Sequence, residues 1–250
     1  MLSKASIKYI QSLQHKKFRD EETVFFAEGP KLVMELLEGK IFTCKNIYAL
    51  PEWIDALSEN QKKAYAHQTE IIKDFELQKI SALSTTHQVL ALFEKKPINK
   101  NADIKNKISL VLDDIQDPGN LGTIIRIADW FGVENIICSL HTADMYNPKV
   151  VQSTMASLQR IQLIYTDVQE WLCTHNSIPI FAATLNGESL QTVSHLKEGI
   201  IIIGNESKGI SQRIMQLANK KITISRFGDA ESLNAAVAAG IILYEIRRDN

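Results

Sequence analysis

The sequence predicts an α/β protein of two domains, and three observations support this. Short apolar runs of strand length alternate with stretches of helical periodicity along the chain. Beyond residue 108 these runs are almost continuously apolar, which is typical of a mostly parallel sheet with helices on both faces. A polar stretch just before residue 108 interrupts this alternation of strands and helices. We therefore predict a small N-terminal α/β domain over 1–95, a linker over 96–107 and a C-terminal sheet domain over 108–250.

The N-terminal elements follow from local spacing. Ile7, Ile10 and Leu13 lie at helical intervals and predict a first helix. Pro30 opens another helix, at a first turn where its missing N–H costs nothing, and Gly39 ends it. In order, we predict a helix over 3–14, a basic connector over 15–19, a strand over 23–27, a helix over 30–39, a strand over 47–50, a helix over 51–57, a brief strand over 65–67, a helix over 70–81 and a strand over 88–93.

The C-terminal elements alternate more regularly. Gly132 stops the first helix of this domain, and Pro179 marks the edge or the start of a later strand. In order, we predict strands over 108–115, 135–139, 161–165 and 178–184. Between them we predict helices over 121–131 and 168–175 and a helix or helix-rich loop over 147–160. Strands beginning at 199 and 222 and an Ala-rich last helix after 234 follow.

Composition excludes several classes. The 250 residues carry a net charge of −1, and no run approaches the 18 apolar residues of a membrane helix. The N-terminus lacks a signal-peptide core, and the three scattered cysteines fit a reducing cytoplasm. The six histidines show no ligand spacing, so we expect no structural metal. The expected protein is cytoplasmic, with no membrane contact.

The charge is unevenly distributed. Residues 1–107 hold 17 Lys and Arg against 14 Asp and Glu, whereas residues 108–250 hold 11 against 15. The first 19 residues contain five basic side chains and no acidic one, which suits a phosphate backbone or, equally, a solvated helix face. The candidate RNA-contacting cations here are Lys4, Lys8, Lys16, Lys17 and Arg19.

Three loops follow predicted strands, where an open α/β sheet usually binds its ligand. Residues 204–209 (Gly-Asn-Glu-Ser-Lys-Gly) allow a close backbone approach, although an ordinary strand–helix turn has the same composition. Residues 232–234 lead into the last helix, which Glu231 or Ser232 could cap. That helix is apolar nearly all round, so it is either a core helix or a dimer interface. Residues 113–126 place Asn120, Gly122 and Arg126 around a helix start, where a lone Arg is usually a surface ion-pair partner.

Together the three segments resemble the SpoU (TrmH) family of RNA ribose 2′-O-methyltransferases. The motifs stand in family order and span about 108–246: Asp117-Pro118-x-Asn120-x-Gly122-Thr123-Ile124-x-Arg126 with Phe131-Gly132, then Gly204-x-Glu206-x-x-Gly209-Ile210, then Ser232-Leu233-Asn234. The N-terminal part resembles the family's substrate-binding domain more loosely, through Lys8-Tyr9-Ile10-x-x-Leu13, Lys17-x-Arg19 and Phe26-x-Glu28-Gly29.

The resemblance implies a deep trefoil knot, a rare feature that no sequence pattern predicts. It also implies S-adenosylmethionine (AdoMet) as cofactor, a homodimer formed by the C-terminal domain, and rRNA or tRNA as substrate. The implied cofactor-binding residues are Thr184, Leu185, Asn186, Ile203, Gly204, Asn205, Glu206, Gly209, Ile224, Ser225, Ser232 and Leu233, and the implied catalytic residues are Arg126, Asn120, Glu206, Ser232 and Asn234, with Arg126 also touching RNA.

Arginine stays protonated at neutral pH, so Arg126 is expected to orient the ribose or its phosphate and to stabilise the oxyanion, not to act as a base. The sequence departs from the family at three places: Ser225 replaces a frequent Pro, Ala156 a frequent Gly, and Ile127 a small polar residue. These departures leave a non-catalytic RNA-binding protein on the same scaffold as an alternative. A base methyltransferase of the wider knotted superfamily is another. A nucleotide-phosphate enzyme fits poorly, because neither dinucleotide nor P-loop spacing is present.

Overall fold

The computed structural model describes residues 1–97 and 101–248. Residues 98–100 of the predicted linker and 249–250 of the predicted C-terminal domain lie outside the described residues. The contacts divide the chain into two units. The first contains residues 1–97 together with 146–159, and the second contains the other described residues.

The first unit is built on a mixed four-stranded sheet in the order β1-β4-β2-β3. Strand β4 pairs antiparallel with β1 and β2, and β2 pairs parallel with β3. Its elements are α1 (Lys4–Ser12), α2 (Lys16–Glu22), β1 (Val24–Glu28), α3 (Pro30–Gly39), β2 (Cys44–Ala49), α4 (Pro51–Asp55), α5 (Glu59–Tyr65), β3 (Thr69–Ile71), α6 (Asp74–Ile80) and β4 (Val89–Glu94).

Two predictions for this unit are wrong. The connector over 15–19 lies in helix α2, where Lys16 pairs with Asp20 four residues on and Lys17 with Glu21. The strand over 65–67 is instead the end of α5 and the turn after it, because Ser58 and three residues later Gln61 form a capping box that starts a helix there. The strand itself comes later, as β3.

The segment 146–159 joins the first unit through aromatic packing. The ring of Tyr146 lies 4.8 Å from that of Phe25, in a cluster with Phe42. Helix α8 (Pro148–Thr154) then packs on β1, and a short 3₁₀ turn (Ser157–Gln159) follows it. The sequence pattern had assigned this segment to the C-terminal domain, because its periodicity cannot show which core its apolar face covers.

The second unit contains a six-stranded sheet in the order β10-β8-β9-β5-β6-β7, and all its strand pairs are parallel, as predicted. Pro179 precedes a strand that lies inside the sheet, so it marks a strand start and not an edge. The elements are β5 (Ile108–Asp113), α7 (Pro118–Trp130), β6 (Asn135–Cys138), β7 (Gln162–Tyr165), α9 (Val168–Thr174), β8 (Ile180–Ser189), β9 (Gly199–Gly204), α10 (Gln212–Met215), β10 (Lys220–Thr223) and α11 (Ala235–Arg247), with a 3₁₀ turn over Leu190–Val193.

The strand order places a ligand site. From β5 the chain moves to β6 and β7 on one side and later to β9, β8 and β10 on the other, so the order reverses between β5 and β9. The carboxyl ends of these two strands, Asp113 and Gly204, lie side by side. In open parallel sheets such a reversal opens a crevice for ligands.

No helix in the described part of the chain combines the length and hydropathy that a membrane span requires. Within residues 1–97 and 101–248, no three His, Cys, Asp or Glu side chains are grouped to hold a metal ion. Cys44, Cys138 and Cys173 are free thiols.

Candidate active site

A crevice of about 920 Å³ opens at the carboxyl ends of β8, β9 and β10. It is lined by three chain segments, 183–186 within β8, 203–210 at the end of β9 and after it, and 221–233 except Asp229, together with Met215 of α10 and residues of α11. The structure brings every sequence-predicted cofactor residue to this crevice: Thr184, Leu185, Asn186, Ile203, Gly204, Asn205, Glu206, Gly209, Ile224, Ser225, Ser232 and Leu233. Its volume falls within the range of about 300–1,000 Å³ typical of small-molecule sites.

The loop after β9 folds back on itself at Gly204. A Cβ at this position would lie 2.4 Å from the backbone of Gly209 and Ile210, so only glycine fits. Gly209 has φ +67°, a conformation that also favours glycine. Two backbone hydrogen bonds between Asn205 and Gly209 close the loop. The two glycines therefore determine the shape of the loop that lines the crevice.

The Asn205 side chain holds this loop from within. Its Oδ1 accepts hydrogen bonds from the backbone N–H groups of Ser207 and Lys208, at 2.9 and 3.0 Å. Its Nδ2 donates to the backbone carbonyl of Asp114, 2.8 Å away. Asp113, at the end of β5, accepts from the backbone N–H of Ser211 at 2.6 Å. The two motif segments are thus joined at the point where the strand order reverses.

A chain of side-chain hydrogen bonds links the three motifs. Asn234, not Glu231 or Ser232, caps α11: its Oδ1 accepts from the backbone N–H groups of Ala236 and Val237. Its Nδ2 must then point away from the helix, and it donates to Asn120 Oδ1 at 2.8 Å. Asn120 Nδ2 in turn donates to Glu206 Oε1. The helix cap therefore sets the orientation of both amides, because amide nitrogen donates and amide oxygen accepts.

Glu206 is the last residue in this chain of hydrogen bonds, and its carboxylate can accept further ones. Among the described residues, no group donates a hydrogen bond to its Oε2, and its side chain lines the crevice. A carboxylate here places negative charge beside any ligand in the crevice. The crevice wall also contains Lys208, Lys221 and Arg226 and a second acidic residue, Glu231, so Glu206 can attract a cation such as a sulfonium only locally.

Arg126 lies apart from the crevice wall. It is exposed on α7, six residues after Asn120, and the described residues offer it no ion pair or hydrogen bond. Asn120, Arg126 and Asn234 do not line the crevice, although Asn120 is joined to its wall by the hydrogen bond to Glu206, and Asn234 is joined to Asn120. Arg126 is thus available to a large ligand approaching from solvent.

The sequence as a whole also matches known protein families. A profile of the SpoU rRNA Methylase family matches residues 107–244, and one of the MRM3-like substrate binding domain matches residues 4–91. The chain belongs to the SpoU rRNA Methylase family. This confirms the resemblance seen in the motifs.

Relatives of the SpoU family resemble the chain along nearly its full length. The 23S rRNA (guanosine(2553)-2′-O)-methyltransferase RlmP of Bacillus subtilis is 27% identical over 248 residues, covering 96% of this chain and 95% of the relative. A solved structure of a TrmH-family protein from Porphyromonas gingivalis is 33% identical, with a TM-score of 0.86 and 100% coverage of both chains. An AdoMet-bound rRNA methyltransferase from Sinorhizobium meliloti is 27% identical, with a TM-score of 0.83, and the match covers 99% of this chain and 96% of that one.

The structure shows the surroundings of all three departures from the SpoU pattern. Ala156 has φ +67°, the left-handed region, where Ala is less favourable than Gly by about 1 kcal/mol. Ile127 packs against Gly240 of α11, where a Cβ would stand 3.5 Å from the Ile127 side chain. A large residue at 127 is thus matched by a small one on the facing helix. Ser225 lies in the crevice wall.

The predicted RNA-contacting cations separate into two kinds. Lys4, Lys8, Lys16 and Lys17 are exposed. Arg19 is only 1% exposed, and its Nη1 donates to the backbone carbonyls of Leu13 and Gln14 at 2.9 and 2.8 Å. Arg19 was predicted to contact RNA, but this burial contradicts the prediction. The side chain instead ties the turn between α1 and α2.

The binding segments that the resemblance implies, 184–186, 203–209 and 224–234, contain most of the crevice wall, including the exposed Lys208 and Arg226. Sequence reasoning missed the wall residues outside them, which are Ala183, Ile210, Met215, Lys221, Ile222, Thr223, Ala235, Ala238 and Ile242. The anchoring carboxylate of Asp113 was also missed as a site-forming residue, because only the strand order brings it beside Ser211.

Proposed function

We propose that this protein transfers a methyl group from AdoMet to a ribose 2′-hydroxyl of structured RNA, with rRNA favoured over tRNA. The single observation that carries the proposal is the crevice, because all twelve residues expected to bind AdoMet meet there although they come from three separate chain segments. Family membership and the rRNA methyltransferases among the full-length relatives support the RNA class.

The chain's own residues fit AdoMet. The segments 184–186, 203–209 and 224–225 would offer backbone groups, and Glu206 would supply a negative charge that a sulfonium favours. AdoMet, when bound, supplies an electrophilic methyl group. The Asn234–Asn120–Glu206 chain would hold the carboxylate in one orientation toward the ligand. Positioning of this kind accounts for much of the rate gain in group transfer.

Arg126 would act on the RNA. From its exposed position on α7 its guanidinium can bind the phosphate or the ribose oxygen of a docked nucleotide and stabilise the developing oxyanion. Ser232, at the crevice, would contact the cofactor or the ribose. The first unit would grip RNA through the exposed lysines of α1 and α2, in line with its match to a substrate-binding domain.

Three further parts belong to the proposal. The crevice loops would form the family's trefoil knot; its support is the close backbone packing at Gly187, where a Cβ would lie 2.6 Å from the carbonyl oxygen of Lys221. The protein would be a homodimer, because Val237, Ile241 and Tyr244 form an exposed apolar face on α11 with the exposed Trp130 of α7, the helix against which α11 packs. It would act in the cytoplasm, where its free thiols stay reduced.

The test is transfer of tritium from labelled AdoMet to in vitro transcribed rRNA and tRNA, followed by nuclease digestion. Label in a ribose-methylated nucleotide that resists 3′ cleavage supports the proposal, whereas label on a base supports the base-methyltransferase alternative. Absence of both transfer and calorimetric AdoMet binding would favour the non-catalytic alternative.

Arg126→Ala should lower kcat by at least about 10²-fold, because an oxyanion-stabilising donor is lost. The dissociation constant for AdoMet, measured by calorimetry, should stay at the wild-type value, since Arg126 does not line the crevice. Arg126→Lys is the matched control and should retain partial activity, because it keeps the charge but not the bidentate geometry. Wild-type turnover by Arg126→Ala would remove this residue from the mechanism.

A further inference from the structure

A second cavity lies in the first unit, away from the residues of the crevice. Its volume is about 420 Å³, again within the range of about 300–1,000 Å³ for small-molecule sites. It is formed by the turn after α1, the end of β1, the loop after α6, and one side of α8 with the residue before it. All its lining residues belong to this one unit.

A buried carboxylate, Glu28, lines this cavity. The residue is 4% exposed. Its Oε2 accepts from the hydroxyl of Ser81 and its Oε1 from the backbone N–H of Ala82, at 2.9 Å for the latter. A carboxylate has about four acceptor positions, so these two bonds leave capacity for a ligand. Burial raises the pKa of Glu28, and further N–H donors would offset that cost by stabilising the charged form.

The remaining walls combine amides, one cation and apolar surface. Gln14, Asn147 and Gln152 bring side-chain amides, which both donate and accept, and the exposed Lys149 adds a positive charge. Apolar surface comes from Phe26, Leu83 and Pro148. A flat group with polar edges and a nearby phosphate matches this composition, and an unpaired nucleotide is such a group.

One residue of the cavity wall directly precedes exposed basic residues of the first unit in the sequence. Gln14, in its wall, is followed directly by His15, Lys16 and Lys17, all of which are exposed. Lys16 and Lys17 are among the cations expected to contact the RNA backbone. A nucleotide flipped from a strand held by these lysines would enter the cavity from the α1 side.

We propose that this cavity binds one unpaired guanine base of the RNA substrate. Guanine offers two adjacent donors, N1–H and the N2 amino group, to the Glu28 carboxylate, and its O6 accepts from a wall amide. Adenine and uracil lack this adjacent donor pair. This inference rests on the proposed function for the identity of the RNA, but binding to the cavity can be measured without methylation. The competing explanation is that Glu28 only ties the loop over 81–83 to β1.

The test uses the full-length protein and fluorescent single-stranded RNA 12-mers that contain one guanosine or, at the same position, inosine. Inosine lacks the N2 amino group. Wild-type protein should bind the guanosine RNA about tenfold more tightly in fluorescence anisotropy, as expected for one arm of a bidentate contact. Ala82→Trp should fill the cavity and abolish this preference. Ala82 is exposed, so the change should leave the melting temperature intact. Ala82→Ser is the matched control and should behave as wild type.

Glu28→Gln should abolish the guanosine preference while retaining a folded protein. The inosine RNA should then bind this variant as tightly as the guanosine RNA does. Equal affinities for the two RNAs in the wild type, or an unchanged preference in Ala82→Trp, would overturn the inference. With rRNA as substrate, Ala82→Trp should raise KM about tenfold with kcat and AdoMet affinity unchanged. If the preference holds in binding but wild-type protein methylates no RNA, the cavity stands and the proposed function fails.

Discussion

One asparagine side chain determines how the polar part of the site is oriented. Asn234 has a single oxygen, and the first turn of α11 requires it for two backbone N–H groups. The nitrogen is therefore committed to Asn120, and the nitrogen of Asn120 to Glu206. The same asparagine therefore caps α11 and orients the polar side chains of the site. The three residues were predicted to be catalytic from their motifs, but this linkage could not be read from the sequence, since it depends on atoms 86 and 114 residues apart in the chain.

Asn234→Asp separates these two roles. The aspartate keeps an acceptor for the α11 cap, so the free energy of unfolding should change by less than about 0.5 kcal/mol. It cannot donate to Asn120, so methyl transfer to RNA should fall. Asn234→Ala loses both roles and should also lower stability by about 1 kcal/mol. Thermal denaturation and the tritium-transfer assay measure the two effects. Full activity in Asn234→Asp would show that the link to Asn120 is dispensable.

At the scale of elements, the loop after β9 depends on a backbone contact. Its fold-back at Gly204 leaves no room for a side chain, and the space is closed by peptide atoms that cannot rotate away as a side chain would. The loop's proposed role as a binding surface therefore depends on a residue that contributes no functional group. The sequence showed the glycine and its place after a strand, but an ordinary turn explained both equally well.

Gly204→Ala should lower the free energy of unfolding by about 2–3 kcal/mol through overpacking, and it should weaken AdoMet binding because the loop must shift. Gly228→Ala is the matched control in the neighbouring loop of the same crevice. A Cβ there meets nothing within 4 Å, so stability and AdoMet affinity should stay near wild type. Calorimetric titration with AdoMet and thermal denaturation give both quantities. Equal affinity in the two variants would contradict a binding role for the close turn.

Helix boundaries show where sequence patterns succeed and where they fail. The predicted helix from Pro30 to Gly39 agrees with α3 because it has a proline start, a glycine end and a clear apolar face. Helices α2 and α5 were missed because their sequences are almost wholly polar and offer no apolar periodicity. Their stability comes from ion pairs in α2 and from the capping box in α5, signals that are weaker in a single sequence.

At the scale of the whole molecule, the two faces of α11 correspond to the two interpretations of this helix, a core helix and a dimer interface. Ala235, Ala239 and Ile242 are buried, which satisfies the core-helix interpretation. Val237, Ile241 and Tyr244, at intervals of four and three residues, stay 49%, 37% and 57% exposed on one side of the helix. An apolar stripe of this kind on an otherwise packed helix suits a second copy of the chain.

Ile241→Glu should therefore convert the proposed dimer to a monomer in light scattering, because a carboxylate would be buried in an apolar interface. Leu140→Glu is the matched control: Leu140 is 66% exposed in the second unit but lies outside α7 and α11, so the mass should not change. Melting of the Ile241→Glu monomer should be measured alongside, since loss of mass with loss of fold would be uninformative about the interface. A wild-type protein that is already monomeric would refute the dimer.

The sequence by itself determined the family, the parallel sheet and the three motif segments that meet at the crevice, because each is encoded in short segments whose order along the chain is sufficient. Tertiary structure alone decided which side chains are available. It buried Arg19 beneath two carbonyls, packed residues 146–159 with the first unit, and assigned the α11 cap to Asn234. The physical reason is that exposure, hydrogen-bond partners and packing depend on contacts between residues distant in the chain, which periodicity and spacing do not record.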